Sequence, residues 1–455
     1  MNTPICDFVR EYAAKDPLRL HMPGHKGAAL LGCEALDLTE IGGADSLYAP
    51  RGIIRESEKN AAALFGAGDT LYSAEGSSQC IRAMVYLARL AWSSRRGGGR
   101  PLVIAGRNAH KAFLSAAALL DVDIAWLFPE DPDYSLCRCL ISPEALESAL
   151  REHPHAAAVY LTSPDYLGNQ ADLPPLAAIA HQWGVPLLVD NAHGAYLAFL
   201  EPSRHPLALG ADLCCDSAHK TLPVLTGGAY LHLGPGAPGL FSAHAREAMA
   251  LFGSTSPSYL ILQSLDRANL ALSEGYAQKL RDMAEALEEL KARLAQKGWG
   301  LIRGEPLKLT LDAKSRGYSG GELGGLLEAL GIVPEYADPD WLVLMPGPEN
   351  PPGALERLEA ALSALERRKP LADRPPVLRR PQAVLTVREA LLSPKRRVRL
   401  SGARGEILAS LAVSCPPAVA PAVPGERLGE NALAIYRYYG VEEVWVTGPG
   451  SRIPS

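Results

Sequence analysis

The sequence predicts an α/β protein: a large domain built on a mainly parallel sheet flanked by helices, then a smaller α+β domain and a C-terminal extension domain. Three observations predict it. From about residue 55 to 235, short apolar runs alternate with helical patterns, and the runs are almost uninterrupted by polar residues, as in strands covered on both faces. A stretch rich in Leu, Ala, Glu and Arg, from about Pro257 to Lys297, then leads into a shorter mixed region. Finally, the Pro-rich KPLADRPPVLRRP reads as a linker to a separate C-terminal region.

Taken in order, the strand candidates are PLVIA (Pro101–Ala105), DIAWLF (Asp123–Phe128), AAVYLTSP (Ala157–Pro164), PLLVDNA (Pro186–Ala192), DLCCDS (Asp212–Ser217) and GAYLHL (Gly228–Leu233). Helices fit SSQCIRAMVYLARLAW, ISPEALESALREHP and LPPLAAIAHQWG, the last ending in a Gly at the expected stop position. The 257–297 stretch reads as long and helical, and PPGALERLEAALSALERR closes the small domain with another helix. These patterns set the domains at 1–50 (an N-terminal arm), 51–298, 299–368 and 382–455, with a linker over 369–381. CPPAVAPAVPGE is too Pro-rich for regular structure, and the basic SPKRRVRLSGAR reads as a solvated charged edge.

At 455 residues, 47% hydrophobic and 21% charged, the chain has the composition of an ordinary globular protein. Its net charge of −5 gives no reason to expect nucleic acid or an anionic membrane as partner. No uncharged apolar run approaches the ~20 residues of a membrane-spanning helix, and MNTPICDFVREYAAKDP lacks the pattern of a secretory signal. Eight cysteines without C-x-x-C spacing predict free thiols in a reducing cytoplasm, with no zinc site and no metal.

Two charges interrupt the apolar runs. Asp190 ends one and Lys220 comes just after the next, and in this class of sheet ligands bind beyond the carboxyl ends of the strands. A desolvated Lys can bond a carbonyl, and a buried Asp can hold a protonated pyridine nitrogen. These are the two fixed points that pyridoxal 5′-phosphate requires. Spacing alone is equally compatible with a structural Asp–Lys ion pair. Phosphate donors are offered by EGSSQ: Gly76 permits a tight turn, and Ser77 and Ser78 would start a helix whose N–H groups and dipole attract an anion. The same pattern is also that of an ordinary helix cap. Neither the P-loop nor the G-x-G-x-x-G fingerprint is present at this place. Asn108 and His110 come after the PLVIA strand, where an imidazole could stack on a cofactor ring or simply cap a helix.

These segments resemble the Orn/Lys/Arg decarboxylase family over nearly the whole chain. The likeness runs in order through HMPGHKG (His21–Gly27), DLTEIGGADSLYAPRGIIRESEKNAAALFGA, EGSSQ, RNAHKA, DNAHGAYLAF, DSAHKTLPVLTGGAYLH and STSPSYLILQSLDRANL. It ends with REALLSPKRRVRLSGARGEI and CPPAVAPAVPGERL. The resemblance implies a fold-type I pyridoxal-phosphate enzyme that decarboxylates a basic L-amino acid (arginine, lysine or ornithine) to the amine and CO2. In that case Lys220 would bond the cofactor aldehyde and Asp190 would pair with the ring nitrogen. His110 would stack on the ring, and His193 would lie under or beside it. Ser77, Ser78 and Ser217 would bind the phosphate with Gly76, and His219 would lie beside the reacting carbon. Lys220 or His219 would return a proton to that carbon. The resemblance further implies a cytoplasmic homodimer or higher oligomer with the site at the subunit interface, where STSPSY and PGHKG would serve the neighbouring subunit. The absence of a receiver-like domain ahead of PGHKG favours the short biosynthetic branch that serves polyamine pathways.

The chain departs from the family in places. It reads DNAHG where D-E-A-H-G is common, so Asn191 replaces an acid, and Gly227 stands where Gln is frequent. Glu75 and Ser78 replace the usual N-G-S-T pattern, and Ala418 stands where Gly is usual. These changes leave the cofactor set intact and bear on substrate choice and rate. Glu75, Asp165, Glu349 and Glu426 are the acids considered as partners for a basic substrate. The rival expectations are another pyridoxal-phosphate enzyme on this scaffold, an aminotransferase or lyase, and a cofactor-binding protein with little or no turnover.

Overall fold

The computed structural model describes residues 1–129, 136–411 and 418–448. The chain divides into two compact units. One comprises Met1–Ile104, Leu146–Ser163 and Asp172–Gln278; the other comprises Ala105–Ala145, Pro164–Ala171 and Lys279–Ser455.

Seven strands form the main sheet: β1 (Asp69–Ser73), β2 (Leu102–Gly106), β3 (Asp123–Leu127), β4 (Ala158–Thr162), β5 (Leu187–Asp190), β6 (Leu213–Asp216) and β7 (Ala229–Leu233). Their order is β1-β7-β6-β5-β4-β2-β3. All six strands expected from the apolar runs are present. β4, β5 and β6 pair in parallel, whereas β7 runs antiparallel to both β6 and β1. β1, DTLYS, is an additional strand: three of its five residues carry hydroxyls and a fourth is Asp, so it lacks the apolar run that announces its neighbours.

In the first unit, every residue of β5, β6 and β7 is buried, which accounts for sequences that are apolar except at Asp190, Asp216 and His232. The helix Ser77–Arg96 is reached from β1 through Gly76, at φ 71°, a conformation open to Gly at little cost. The helix Leu173–Gln182 starts with Pro in its first turn, and its chain turns off at Gly184, φ 67°. The expected single helix over 257–297 is two helices, Tyr259–Ser273 and Tyr276–Gln296. Gly275 at φ 77° separates them, since a left-handed residue cannot continue a right-handed helix.

In the second unit, β8 (Gly300–Ile302), β9 (Leu309–Asp312), β10 (Tyr336–Ala337) and β11 (Trp341–Leu344) make an antiparallel sheet of order β10-β11-β9-β8. Leu287, Leu290 and Leu294 from one helix and Leu358 and Leu362 from Ala354–Ala364 pack with Leu309, Leu311 and Leu342 of its strands. Residues 369–381 contain neither helix nor strand. Beyond them β12 (Lys395–Arg399) pairs antiparallel with β13 (Glu443–Thr447) over a core that includes Leu408, Leu433, Tyr436 and Val446. β12 is the basic segment; it is largely exposed, and Arg396 and Arg397 pair with Glu406 and Glu443, as a solvated edge requires. The Pro-rich run from Cys415 lies in part outside the described residues, and its described part, 418–425, has no helix or strand.

Arg107 is 1% exposed in this unit and forms a two-pronged pair with Glu426, at 2.8 and 2.6 Å. Its guanidinium lies 5.0 Å from the Trp126 ring centroid. Removing one partner of such a pair strands a buried charge. Glu426→Ala is therefore expected to destabilise the chain by about 3–5 kcal/mol, read by denaturant unfolding; a loss below about 1 kcal/mol, the range of exposed pairs, would refute a buried pair.

Candidate active site

The first unit brings Asp190, His193, Ser217, His219 and Lys220 to the ends of two neighbouring strands. Asp190 is the last residue of β5, 2% exposed, and lies in register with Cys215 of β6. Its carboxylate is held on both oxygens. Tyr160 Oη donates to Oδ2 at 3.1 Å, and the Ala192 N–H donates to Oδ1 at 3.2 Å. A buried carboxylate fixed in this way presents a localised negative charge. Burial and that charge together push the Tyr160 hydroxyl well above its ordinary pKa, so it remains a donor.

Past β6 the chain makes a single helical turn, Ala218–Thr221, with Ser217 at its start. The sequence places Lys220 in a buried setting; in the structure it is exposed, because this turn carries it beyond the strand end and out of the packed layer. Lys220 Nζ lies 3.0 Å from His193 Nε2, and His193 is only 6% exposed. The backbone N–H and Nδ1–H of His219 both donate to the Gly228 carbonyl, at 3.2 and 2.9 Å, which orients the ring.

The anion-binding elements also meet. Ser217 Oγ donates to Ser77 Oγ at 2.8 Å, where Ser77 is the first residue of the helix Ser77–Arg96 and Ser78 the second. Gly76 N–H donates to the Gly227 carbonyl at 2.7 Å, so Gly227 and Gly228 brace the serine turn and the lysine turn respectively. Gly227 sits at φ 100°, and a Cβ there would lie 3.0 Å from the Ala74 carbonyl oxygen. That accounts for its glycine. Gly227→Gln should cost about 1–2 kcal/mol of stability through the left-handed backbone and loosen cofactor retention; unchanged melting and cofactor affinity would contradict the bracing.

His110 belongs to the second unit, exposed and N-capping the helix Lys111–Leu120, with Nδ1 accepting from Ala112 N–H at 3.2 Å. Of the acids considered for a basic substrate, Glu426 is bound to Arg107, and Asp165 accepts from Leu167 N–H and from Asn169. Burial pushes the Asp165 carboxyl up to about 6 against those hydrogen bonds. Glu349 is exposed. Glu75, exposed and next to Gly76, accepts from the Ser254 N–H. Tyr160, Gly228 and the partners of Asn191 escaped the sequence analysis, since each acts across strands whose register no spacing reveals.

The donor set fits pyridoxal phosphate: a fixed carboxylate for a ring nitrogen, a solvent-facing amine for an aldehyde, and two hydroxyls at a helix N-terminus for a phosphate. Known proteins agree with that fit. Residues 3–310 match the family model described as Orn/Lys/Arg decarboxylase, major domain. The chain is 30% identical to an arginine decarboxylase of Halalkalibacterium halodurans, over 98% of this chain and 95% of that one. It is 28% identical to an arginine decarboxylase of Bacillus subtilis, over 95% and 92%. Among solved structures, the lysine decarboxylase of Francisella novicida superposes with a TM-score of 0.80 at 15% identity, over 98% of this chain and 81% of that one. The fold is thus that of the fold-type I enzymes. The chain belongs to the Orn/Lys/Arg decarboxylase family, pyridoxal-phosphate-dependent enzymes that decarboxylate basic amino acids.

Proposed function

We propose that this chain decarboxylates L-arginine, releasing CO2 and agmatine, with lysine and ornithine as poorer substrates. The observation that carries the reaction is the constellation of Asp190, His193, Lys220, Ser77 and Ser217 at one edge of one sheet. The choice of arginine is supported by the relatives, named arginine decarboxylases, that match over more than nine-tenths of their length. An amine product of this kind would serve polyamine-type metabolism.

Pyridoxal phosphate, when bound, supplies a sink for the electron pair left by departing CO2. Asp190 would keep a ring nitrogen protonated, and Tyr160 and Ala192 prevent the carboxylate from turning away. Ser77, Ser78 and Ser217, with the turn at Gly76, would hold the phosphate at the helix N-terminus. Lys220 Nζ would hold the aldehyde, and Lys220 or His219 would supply the proton taken up where CO2 is lost. His193 Nε2 orients that amine. His219 would lie beside the reacting carbon, its Nδ1 committed to Gly228.

The working form is a homodimer in the cytoplasm, with PGHKG and STSPSY contributing to the neighbouring site. Leu18, Leu20, Met22, Leu30 and Leu31 support it: all five are at least 63% exposed, more apolar surface than a solitary subunit ordinarily leaves in water. The domains are 1–50, 51–298, 299–368 and 382–455, with 369–381 as the segment limited proteolysis should cut first. The reading is tested by kcat/KM for L-arginine, L-lysine and L-ornithine. Preference for arginine by at least about tenfold, roughly 1.4 kcal/mol, is expected, and a preference for either other substrate would overturn it.

A further inference from the structure

Behind the site, on the opposite face of the sheet, lies a buried polar cluster that none of the roles above uses. Side chains alternate along strands. Asp190 and Cys215 are in register and share one face, the Cys215 thiol lying 3.6 Å from Asp190 Oδ1. Asn191 and Asp216, one residue further along each chain, turn to the other face. There Asn191 Nδ2 donates to Asp216 Oδ1 at 2.7 Å, and both residues are 0% exposed. Asp216 Oδ2 is approached by His205 Nε2 at 3.0 Å and His232 Nε2 at 3.3 Å. Thr70 Oγ1 lies 2.8 Å from His232 Nδ1, so its hydroxyl can donate there and leave Nε2–H facing the carboxylate. Phe65 packs on both rings, at 5.5 and 4.6 Å between centroids.

The carboxylate is thus hydrogen-bonded by Asn191 and His205, with the His232 ring nitrogen close beside it. Burial alone would raise its pKa, but the two imidazoles outweigh burial and hold Asp216 well below the usual carboxylate range. Burial keeps the pKa of His232 low against the pull of Asp216. A carboxylate at position 191 would face this charge directly, where the present amide approaches to 2.7 Å.

The location of this charge gives it a role. Asn191 begins the loop to His193, and Asp216 precedes the turn to Lys220; the two loops meet again where His193 Nε2 touches Lys220 Nζ. We infer that Asp216 is a positioning residue, clamping through Asn191 the strand end of Asp190 to the strand end of Lys220. The clamp tolerates one carboxylate, and with the acid at 216, position 191 must be an amide. This accounts for Asn191 where the family commonly has an acid, and it rests on the site assigned above.

The test exchanges the two groups without changing their size, in Asn191→Asp, Asp216→Asn and the double variant N191D/D216N. Each protein is purified without cofactor, melted, and then titrated with pyridoxal phosphate far below its melting temperature, using the absorption band of the bound cofactor. N191D sets two buried carboxylates against each other. It is expected to melt lower and to bind cofactor weaker by on the order of tenfold or more, whereas the double variant recovers most of both losses. A double variant no better than N191D would overturn the clamp. So would N191D or D216N melting lower with cofactor affinity and band unchanged, since the role would then be structural only. Stoichiometric zinc in the purified protein, lost on D216N, would replace the hydrogen-bonded clamp by a metal site and equally overturn it. Lys220→Ala, which alters the band without touching this cluster, separates failure of the clamp from failure of the site.

Discussion

Lys220→Ala is expected to abolish amine release and, in the same protein, the absorbance of lysine-bound cofactor. The loss of turnover should be on the order of 10³-fold or more, the scale at which a covalent catalytic group acts. The side chain is exposed on a short turn, so the core is untouched and melting without cofactor should stay within ~0.5 kcal/mol of the parent. That combination discriminates. A structural lysine would change stability and leave chemistry, whereas this one should do the reverse. Retention of both turnover and the absorbance band would show that another amine holds the cofactor.

Asp190→Asn should give the second largest effect. Asparagine keeps the shape, and its carbonyl can still accept from Tyr160 Oη or Ala192 N–H, so the variant should fold and bind cofactor. The fixed negative charge is lost. Without it the ring nitrogen is not held protonated and the sink for the departing electron pair weakens, so kcat should fall by about 10²–10³-fold, as when one preorganised electrostatic partner is removed. KM should change far less, because the interaction strengthens as charge develops. A kcat within a few-fold of the parent would remove Asp190 from the mechanism.

Much of the fold was legible because parallel strands buried on both faces write themselves as continuous apolar runs: LLVD and LCCD are buried at every position. The strand DTLYS was not legible, with hydroxyls in place of the apolar run. Nor was the break at Gly275, since one glycine within forty helix-forming residues has no signature until its φ is known. The site was legible where charge contradicted its surroundings, at Asp190 and Lys220, and where small residues opened a helix, at Gly76–Ser78. The contacts that orient it were not. Tyr160 reaches Asp190 from a neighbouring strand, and Gly227 reaches Gly76 across a distant loop. Asn191 stood out as an anomaly, but its reason lay in Asp216, a residue brought opposite only by the pairing of β5 with β6.

The most direct test of the central claim is a product balance on the purified protein supplied with pyridoxal phosphate and L-arginine, with Lys220→Ala as the blank. CO2 and agmatine released in equal amounts, with no keto acid and nothing from the blank, is the result predicted. A keto acid with the carboxyl group retained would mean an aminotransferase on the same scaffold, and no product from arginine, lysine or ornithine despite a normal cofactor band would mean a cofactor-binding protein; either would contradict the account.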